Sequence, residues 1–138
     1  MTPRPEVRTA IHVHRSGVGQ DGEQIAADRL TRRGWHILAR NQRVKGVRGE
    51  LDIIAIDGDT LVIVEVKTRS TMSRHGPEAP LAAITRRKQA KLRALGRAWI
   101  DTNLEGLPRF RRVRYDAIGI RLTPAGEMRE WKHIEGAI

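Results

Sequence analysis

The chain has 138 residues, no cysteine, five aromatic side chains and a formal charge of +10, from 26 Lys and Arg against 16 Asp and Glu. That excludes a disulfide framework, a thiolate metal site and a thiol nucleophile, and no run reaches the ~20 apolar residues of a membrane-spanning helix. The length suits one domain with a real core, and Met1 to Val18 lack the apolar centre of a secretory signal, so a cytoplasmic protein is expected. The charge is uneven. Residues 46–70, the most apolar stretch, carry three basic and five acidic side chains, whereas residues 71–115 carry eleven basic and three acidic. A basic frame attracts a polyanion such as nucleic acid. Carboxylates at its centre repel the same polyanion unless a cation sits between them.

Residues 1–18, with Pro3, Pro5 and Gly17, read as a flexible tail, and the folded domain is expected over 19–138. His12 and His14 in that tail have no third ligand at usable spacing. Gly22 to Arg33 is helical in pattern and ends at Gly34, a natural residue for the turn after a helix. Ala26, Ala27 and Leu30 follow Glu23 by three, four and seven positions, which puts Glu23 on the apolar stripe. Trp35 to Ala39 reads as a short strand, followed by a polar loop containing Gly46 and Gly49. Leu51 to Ile56 and Leu61 to Lys67 then form a predicted hairpin joined by Asp57-Gly58-Asp59-Thr60. Their near-continuous apolar content predicts strands covered on both faces. Ser70 to Pro77 reads as a loop. A second helix lies within Ala79 to Ile100, capped at Thr85, with Lys88, Leu92, Leu95 and Trp99 on one stripe. Phe110 to Ile120 and Met128 to Ile134 complete the chain as strands. The order is αβββαββ.

The hairpin decides which acids are neighbours. With a four-residue loop 57–60, Ile56 faces Leu61, Asp52 faces Glu65 and Glu50 faces Lys67. With a two-residue Asp57-Gly58 turn, Asp52 faces Ile63 instead. In either register Asp52, Glu65 and Lys67 share a sheet face, unless a bulge intervenes. Two carboxylates on a covered face repel each other and resist desolvation, and Lys67 offsets only part of that. An oxygen-only set suits Mg²⁺ or Mn²⁺, with Asp52 and Glu65 as ligands and Glu23 reaching the same cation or one of its waters. Lys67 would orient the attacking water or stabilise developing negative charge, and Lys88 would contact the phosphate. Arg86, Arg87, Lys91 and Arg93 are expected to form a phosphate-facing surface. Glu50 and Asp116 are weaker candidates.

Glu23 in an opening helix, Glu50-Leu51-Asp52, Glu65-Val66-Lys67 and Lys88-Gln89 on a basic helix together resemble the PD-(D/E)XK nuclease superfamily. More narrowly, Gly22-Glu23-Gln24-Ile25-Ala26, Gly49-Glu50-Leu51-Asp52-Ile53-Ile54-Ala55 and Val64-Glu65-Val66-Lys67-Thr68-Arg69 resemble the YraN family of bacterial proteins. The resemblance covers roughly residues 19 to 120, with Leu51 where the eponymous motif has Pro. It implies an α/β, restriction-endonuclease-like fold, a central mixed sheet flanked by helices. It also implies Mg²⁺ held by the matching Asp52 and Glu65, a catalytic Lys67, and a helix acid at Glu23 as in related junction resolvases. Lys88, Gln89 and Arg69, with Arg86, Arg87, Lys91 and Arg93, complete the expected nucleic-acid contacts. The function expected is a metal-dependent DNA endonuclease, with branched or structured duplex as a candidate substrate and a homodimer by analogy. The competing expectation is a non-catalytic nucleic-acid-binding or adaptor module that keeps the fold.

Overall fold

The computed structural model describes residues 18–72, 81 and 84–138. In chain order they form α1 (Val18–Arg32), β1 (His36–Val44), β2 (Val47–Asp57), β3 (Thr60–Ser70), α2 (Arg86–Asn103), a 3-10 turn at Leu104–Gly106, β4 (Arg112–Leu122) and β5 (Met128–Ile134). The five strands make one mixed sheet in the order β1-β2-β3-β4-β5, antiparallel throughout except for the parallel β3–β4 pair. This is the expected αβββαββ order, and it agrees with a restriction-endonuclease-like architecture. Residues 1–17, including His12, His14 and almost all of the expected tail, lie outside the described residues, as do 73–80 and 82–83.

The central position of β3 explains its composition. It pairs with β2 on one side and β4 on the other, and a helix covers each face of the sheet. Ala26, Ala27 and Leu30 of α1 pack with Ile53, Ala55, Val62, Val64, Ile118 and Ile120. On the opposite face, Leu95 and Trp99 of α2 pack with Leu51, Ile54, Leu61 and Ile63. Each such aliphatic side chain contributes about 1.5–3 kcal/mol on burial, so a run that is apolar at every position is stable only in this doubly covered place. Gly96 lets α2 approach closely: a Cβ there would stand 2.6 Å from both the Ile63 Cδ1 atom and the Tyr115 hydroxyl.

Several boundaries moved. Helix α1 begins at Val18, four residues before the expected start, and ends at Arg32, one residue before the expected Arg33, with its closing turn at Gly34 as expected. Gly34 adopts φ 92°, the Trp35 N–H reaches the Leu30 carbonyl at 3.0 Å, and the Gly34 N–H reaches Thr31 at 3.0 Å, a Schellman closure. Strand β1 starts one residue after Trp35 and continues to Val44. The expected polar loop shrinks to the turn at Lys45 and Gly46, with Gly49 inside β2. Ladder hydrogen bonds come from the backbone, so a polar hairpin extends without an apolar pattern to announce it. At the β2–β3 hairpin, Ile56 faces Leu61 and Asp57 pairs with Thr60, leaving Gly58 and Asp59 as the turn. This is the register of the four-residue loop, and the Asp57-Gly58 turn is not used. Thr85 caps α2 as expected, its hydroxyl accepting from the Lys88 N–H at 3.3 Å.

Candidate metal and nucleic-acid site

The site arises where two strands part. The paired positions of β2 and β3 end at Ile53 and Val64, while β3 stays paired with β4 as far as Ser70. Beyond that fork the Val66 N–H has no β2 carbonyl opposite it, and Asp52 Oδ2 accepts it instead at 2.8 Å. Strand β2 also turns here. Leu51 packs in the α2 cluster and Ile53 in the α1 cluster, although residues two apart in a regular strand share a face. The alternation that placed Glu50, Asp52, Glu65 and Lys67 on one face is therefore interrupted at Asp52. On β3 the alternation holds, with Leu61 and Ile63 facing α2 and Val62, Val64 and Val66 facing α1, so Glu65 and Lys67 point toward α2.

Because Asp52 lies at the turn in the strand, acids from both sides of the sheet meet it. Its carboxyl is in side-chain contact with Glu65 of β3 and with Glu23 of α1. Burial pushes the Asp52 carboxyl well above the usual carboxylate range, the charges of Glu65 and Glu23 push it further, and the Val66 N–H opposes them. Glu23 is raised as well, first by burial and then by Glu50 and Glu65, against the Asp52 hydrogen bond and the Arg40 charge. Lys67 meets the acids through Glu65, its Nζ 3.1 Å from Oε1. Glu50 pairs instead with the exposed Arg43 at 2.9 Å. Three carboxyls against Lys67 and the Arg40 charge still leave the cluster short of positive charge, and an all-oxygen donor set fits a hard divalent cation.

An open cleft of about 280 Å³ starts at Glu65 and Glu50, lined further by Arg48, Gly49, Lys88, Lys91, Leu92 and Leu95. Its lining thus joins two acids, three basic side chains and the apolar Leu92 and Leu95. Lys88 was expected on the inner stripe of α2, but it is exposed and lines this cleft. The rest of the basic surface divides. Arg93, with Arg97, Tyr115 and Asp101, lines a separate groove on the other flank of the helix, and Arg86 and Arg87 are exposed outside the cleft. At 100° per residue, Lys91 and Arg93 point to different flanks, so the expected single surface becomes two. Gln89 is drawn away, its side-chain amide donating to the Ile84 carbonyl at 3.3 Å. Arg69 is half-buried, two residues beyond Lys67 on β3. Arg48, Arg40 and Gln24 were not singled out in the sequence. Arg48 sits at the edge of a polar hairpin with no periodicity to mark it, while Arg40, in the second half of β1, is the one charged residue flanked by apolar Leu38-Ala39 and could have been flagged.

A second carboxylate cluster lies across the sheet. Asp116 on β4 is fully buried. Its Oδ1 accepts from Arg114 Nε at 2.8 Å and from the Gly136 N–H at 3.0 Å, and its Oδ2 accepts from Arg114 Nη2 at 3.0 Å and His133 Nε2 at 2.8 Å. Burial alone would push the Asp116 carboxyl up, but the bonds from His133, Arg114 and Gly136 outweigh it and hold it below the usual range. Asp116, His133 and Glu135 offer ligand atoms within 4.8 Å of one another. The arginines already hold these positions, since Arg33 Nη1 meets His133 Nδ1 at 3.0 Å and Arg114 lies 3.7 Å from Glu135.

Fold and site thus define a mixed-sheet α/β protein with a carboxylate cluster at a strand fork, facing a basic helix. The model of the uncharacterised protein family UPF0102 matches residues 22–120, and the chain belongs to that family. It is 45% identical to a UPF0102 protein of Streptomyces coelicolor over 81% of this chain and 82% of that protein. A UPF0102 protein of Geobacter metallireducens is 39% identical over 92% of this chain and 96% of its own length. One of Dictyoglomus thermophilum is 35% identical over 87% and 95%. Among the described residues, no helix is long and apolar enough to cross a membrane.

Proposed function

We propose that this protein is a divalent-metal-dependent nuclease of the PD-(D/E)XK type that hydrolyses phosphodiester bonds in DNA. The observation that carries the reading is the half-buried Asp52 between Glu23 and Glu65, beside the Lys67 ammonium, where Glu65 opens onto a cleft lined by Arg48, Lys88 and Lys91. Such a cluster is costly to a fold that makes no use of it. Glu23, Asp52 and Glu65 would hold Mg²⁺ or Mn²⁺, which when bound polarises a phosphate and lowers the pKa of water. Lys67 stabilises negative charge developing on the phosphate oxygens, held near the cluster by its Glu65 contact. Arg48, Lys88 and Lys91 bind backbone phosphates at the cleft, a mode that reads shape more than sequence. The test is cleavage of linear, nicked and branched duplexes with Mg²⁺ or Mn²⁺, comparing the wild type with Glu65→Gln and Lys67→Ala. Metal-dependent cleavage lost in both variants, with their unfolding curves intact, is the expected result. Absence of both cleavage and Mn²⁺ binding in the wild type overturns the reading, and salt-sensitive DNA binding without cleavage favours a non-catalytic binding module.

A further inference from the structure

Glu23 reaches Asp52 from a helix on the α1 face of the sheet, and the residues on either side of it in sequence show what holds it there. Gly22 is buried against β3, where a Cβ would collide with the Thr68 hydroxyl and stand 2.9 Å from its Cγ2. Only a residue without a side chain lets the first turns of α1 come this close. Gln24 is held from β1: its Oε1 accepts from Arg40 Nη1 at 2.7 Å, and its Nε2 donates to Asp28 Oδ1 at 2.9 Å, which orients the amide.

The strand that supplies Arg40 is itself distorted. Asn41 has φ 50°, the one positive value at a non-glycine among the described residues. It lies across from Asp52, between the pairs Arg40–Ile53 and Gln42–Leu51. Arg40 reaches α1 while Gln42 accepts from Trp99 Nε1 of α2 at 3.1 Å, so β1 turns over at the same level as β2. Asparagine adopts this left-handed conformation more readily than other side chains, so it marks the turn in β1 at little cost. Among the described residues, the buried side-chain polar atoms that lack a hydrogen-bond partner are Arg40 Nε and Thr68 Oγ1. Both belong to these two contacts. A buried polar atom without a partner costs about 1–3 kcal/mol, so lost hydrogen bonding concentrates at the two contacts that flank Glu23.

We propose that Gly22 and Arg40 are positioning residues that seat Glu23 in the cation site, Gly22 against Thr68 and Arg40 by its hydrogen bond to Gln24 together with its own charge beside Glu23. The inference rests on the reading of Glu23, Asp52 and Glu65 as cation ligands. It is tested by calorimetric Mn²⁺ titration of the full chain, with thermal unfolding recorded for every variant. Arg40→Met weakens Mn²⁺ binding about tenfold, the scale of groups that orient ligands. Arg40→Met combined with Glu23→Gln binds no more weakly than Glu23→Gln alone, because the arginine acts through that carboxylate. Gly22→Ala weakens binding, and Gly22→Ala with Thr68→Ala restores part of it. If Gly22→Ala alone does not fold, Gly22→Ala with Thr68→Ala is compared with Thr68→Ala alone, and Gln24→Ala, which keeps the Arg40 charge, is expected to weaken binding by no more than Arg40→Met. An unchanged affinity in Arg40→Met, or a loss that adds in full to that of Glu23→Gln, overturns the seat while leaving the cation site standing. A wild type that binds no Mn²⁺ overturns both.

Discussion

Asp52, half-buried, and Asp116, fully buried, are carboxylates of the same sheet, yet the protein treats them in opposite ways. Asp116 is sealed, and four donors from Arg114, His133 and Gly136 hold it ionised. Asp52 receives one N–H, and burial, followed by the charges of the two further acids it faces, drives its carboxyl toward the protonated form. Satisfied burial ties β4 to the C-terminal residues. Crowding of mutually repelling carboxyls lowers stability, and such sites persist where they bind something. The grouping of Asp, His and Glu that looks most like a metal site by composition is thus the one already held by arginines, and the proposed chemistry falls to the cluster short of positive charge.

The largest effect expected from this contrast is on folding. Asp116→Ala removes the buried acceptor of four hydrogen bonds from Arg114, His133 and Gly136 and destabilises the protein by about 3–5 kcal/mol, measured by urea unfolding at neutral pH. A loss below about 1 kcal/mol would erase the distinction between the clusters. Lys67→Ala makes the complementary change: single-turnover cleavage falls about 10²–10³-fold, roughly 2.7–4 kcal/mol, while the unfolding midpoint stays in place. Stability lost in parallel with activity would make Lys67 a structural ion-pair partner.

Asp52→Asn is expected to stabilise the metal-free protein at neutral pH by about 0.5–2 kcal/mol while abolishing Mn²⁺ binding. The two acids also give opposite pH dependence. The folded protein binds the Asp52 proton more tightly than the unfolded chain, so this contribution is present below the ordinary aspartate pKa. It is lost as pH rises from there through the raised value. Asp116 is depressed in the fold, so its contribution is present above the ordinary aspartate pKa and is lost as pH falls through the lowered value. Urea melts of the wild type, Asp52→Asn and Asp116→Asn across pH 3 to 8 in chelator separate the two. A stability difference between the wild type and Asp52→Asn that does not change with pH would sink the first assignment.

The smallest effect concerns the divided surface of α2. Replacing Lys88 and Lys91 with Ala lowers the slope of log affinity against log salt by about 1.8, as two lost phosphate contacts require. Arg93→Ala with Arg97→Ala is expected to change it less, since that groove lies on the flank away from the acids. Equal losses, read from fluorescence anisotropy at several salt concentrations, would mean that DNA engages both flanks.

Much of this was open to reading in the sequence. Continuous apolar runs mark β2 and β3 because a central strand needs cover on both faces, and the Glu65-Val66-Lys67 spacing keeps two charged side chains on one side of β3. Gly34 and Thr85 mark helix ends through local stereochemistry and hydrogen bonding, which depend on few neighbours. The polar half of β1 escaped, since the backbone alone makes its ladder. The separate flanks of α2 also escaped, because a count of arginines ignores helical angle.

What the amino-acid order determined, then, are the features that depend on nearby residues: helix ends, strand periodicity, the hairpin, and an acidic island within a basic chain. The tertiary structure decided which carboxylates meet. The fork between β2 and β3, and the turn at Asp52 opposite Asn41, arise only when β1, β2, β3 and α1 pack together. The same holds for Asp116, an unremarkable strand acid until Arg114, His133 and Gly136 surround it. Electrostatic character depends on burial and on which charges lie within a few ångströms, and packing sets both.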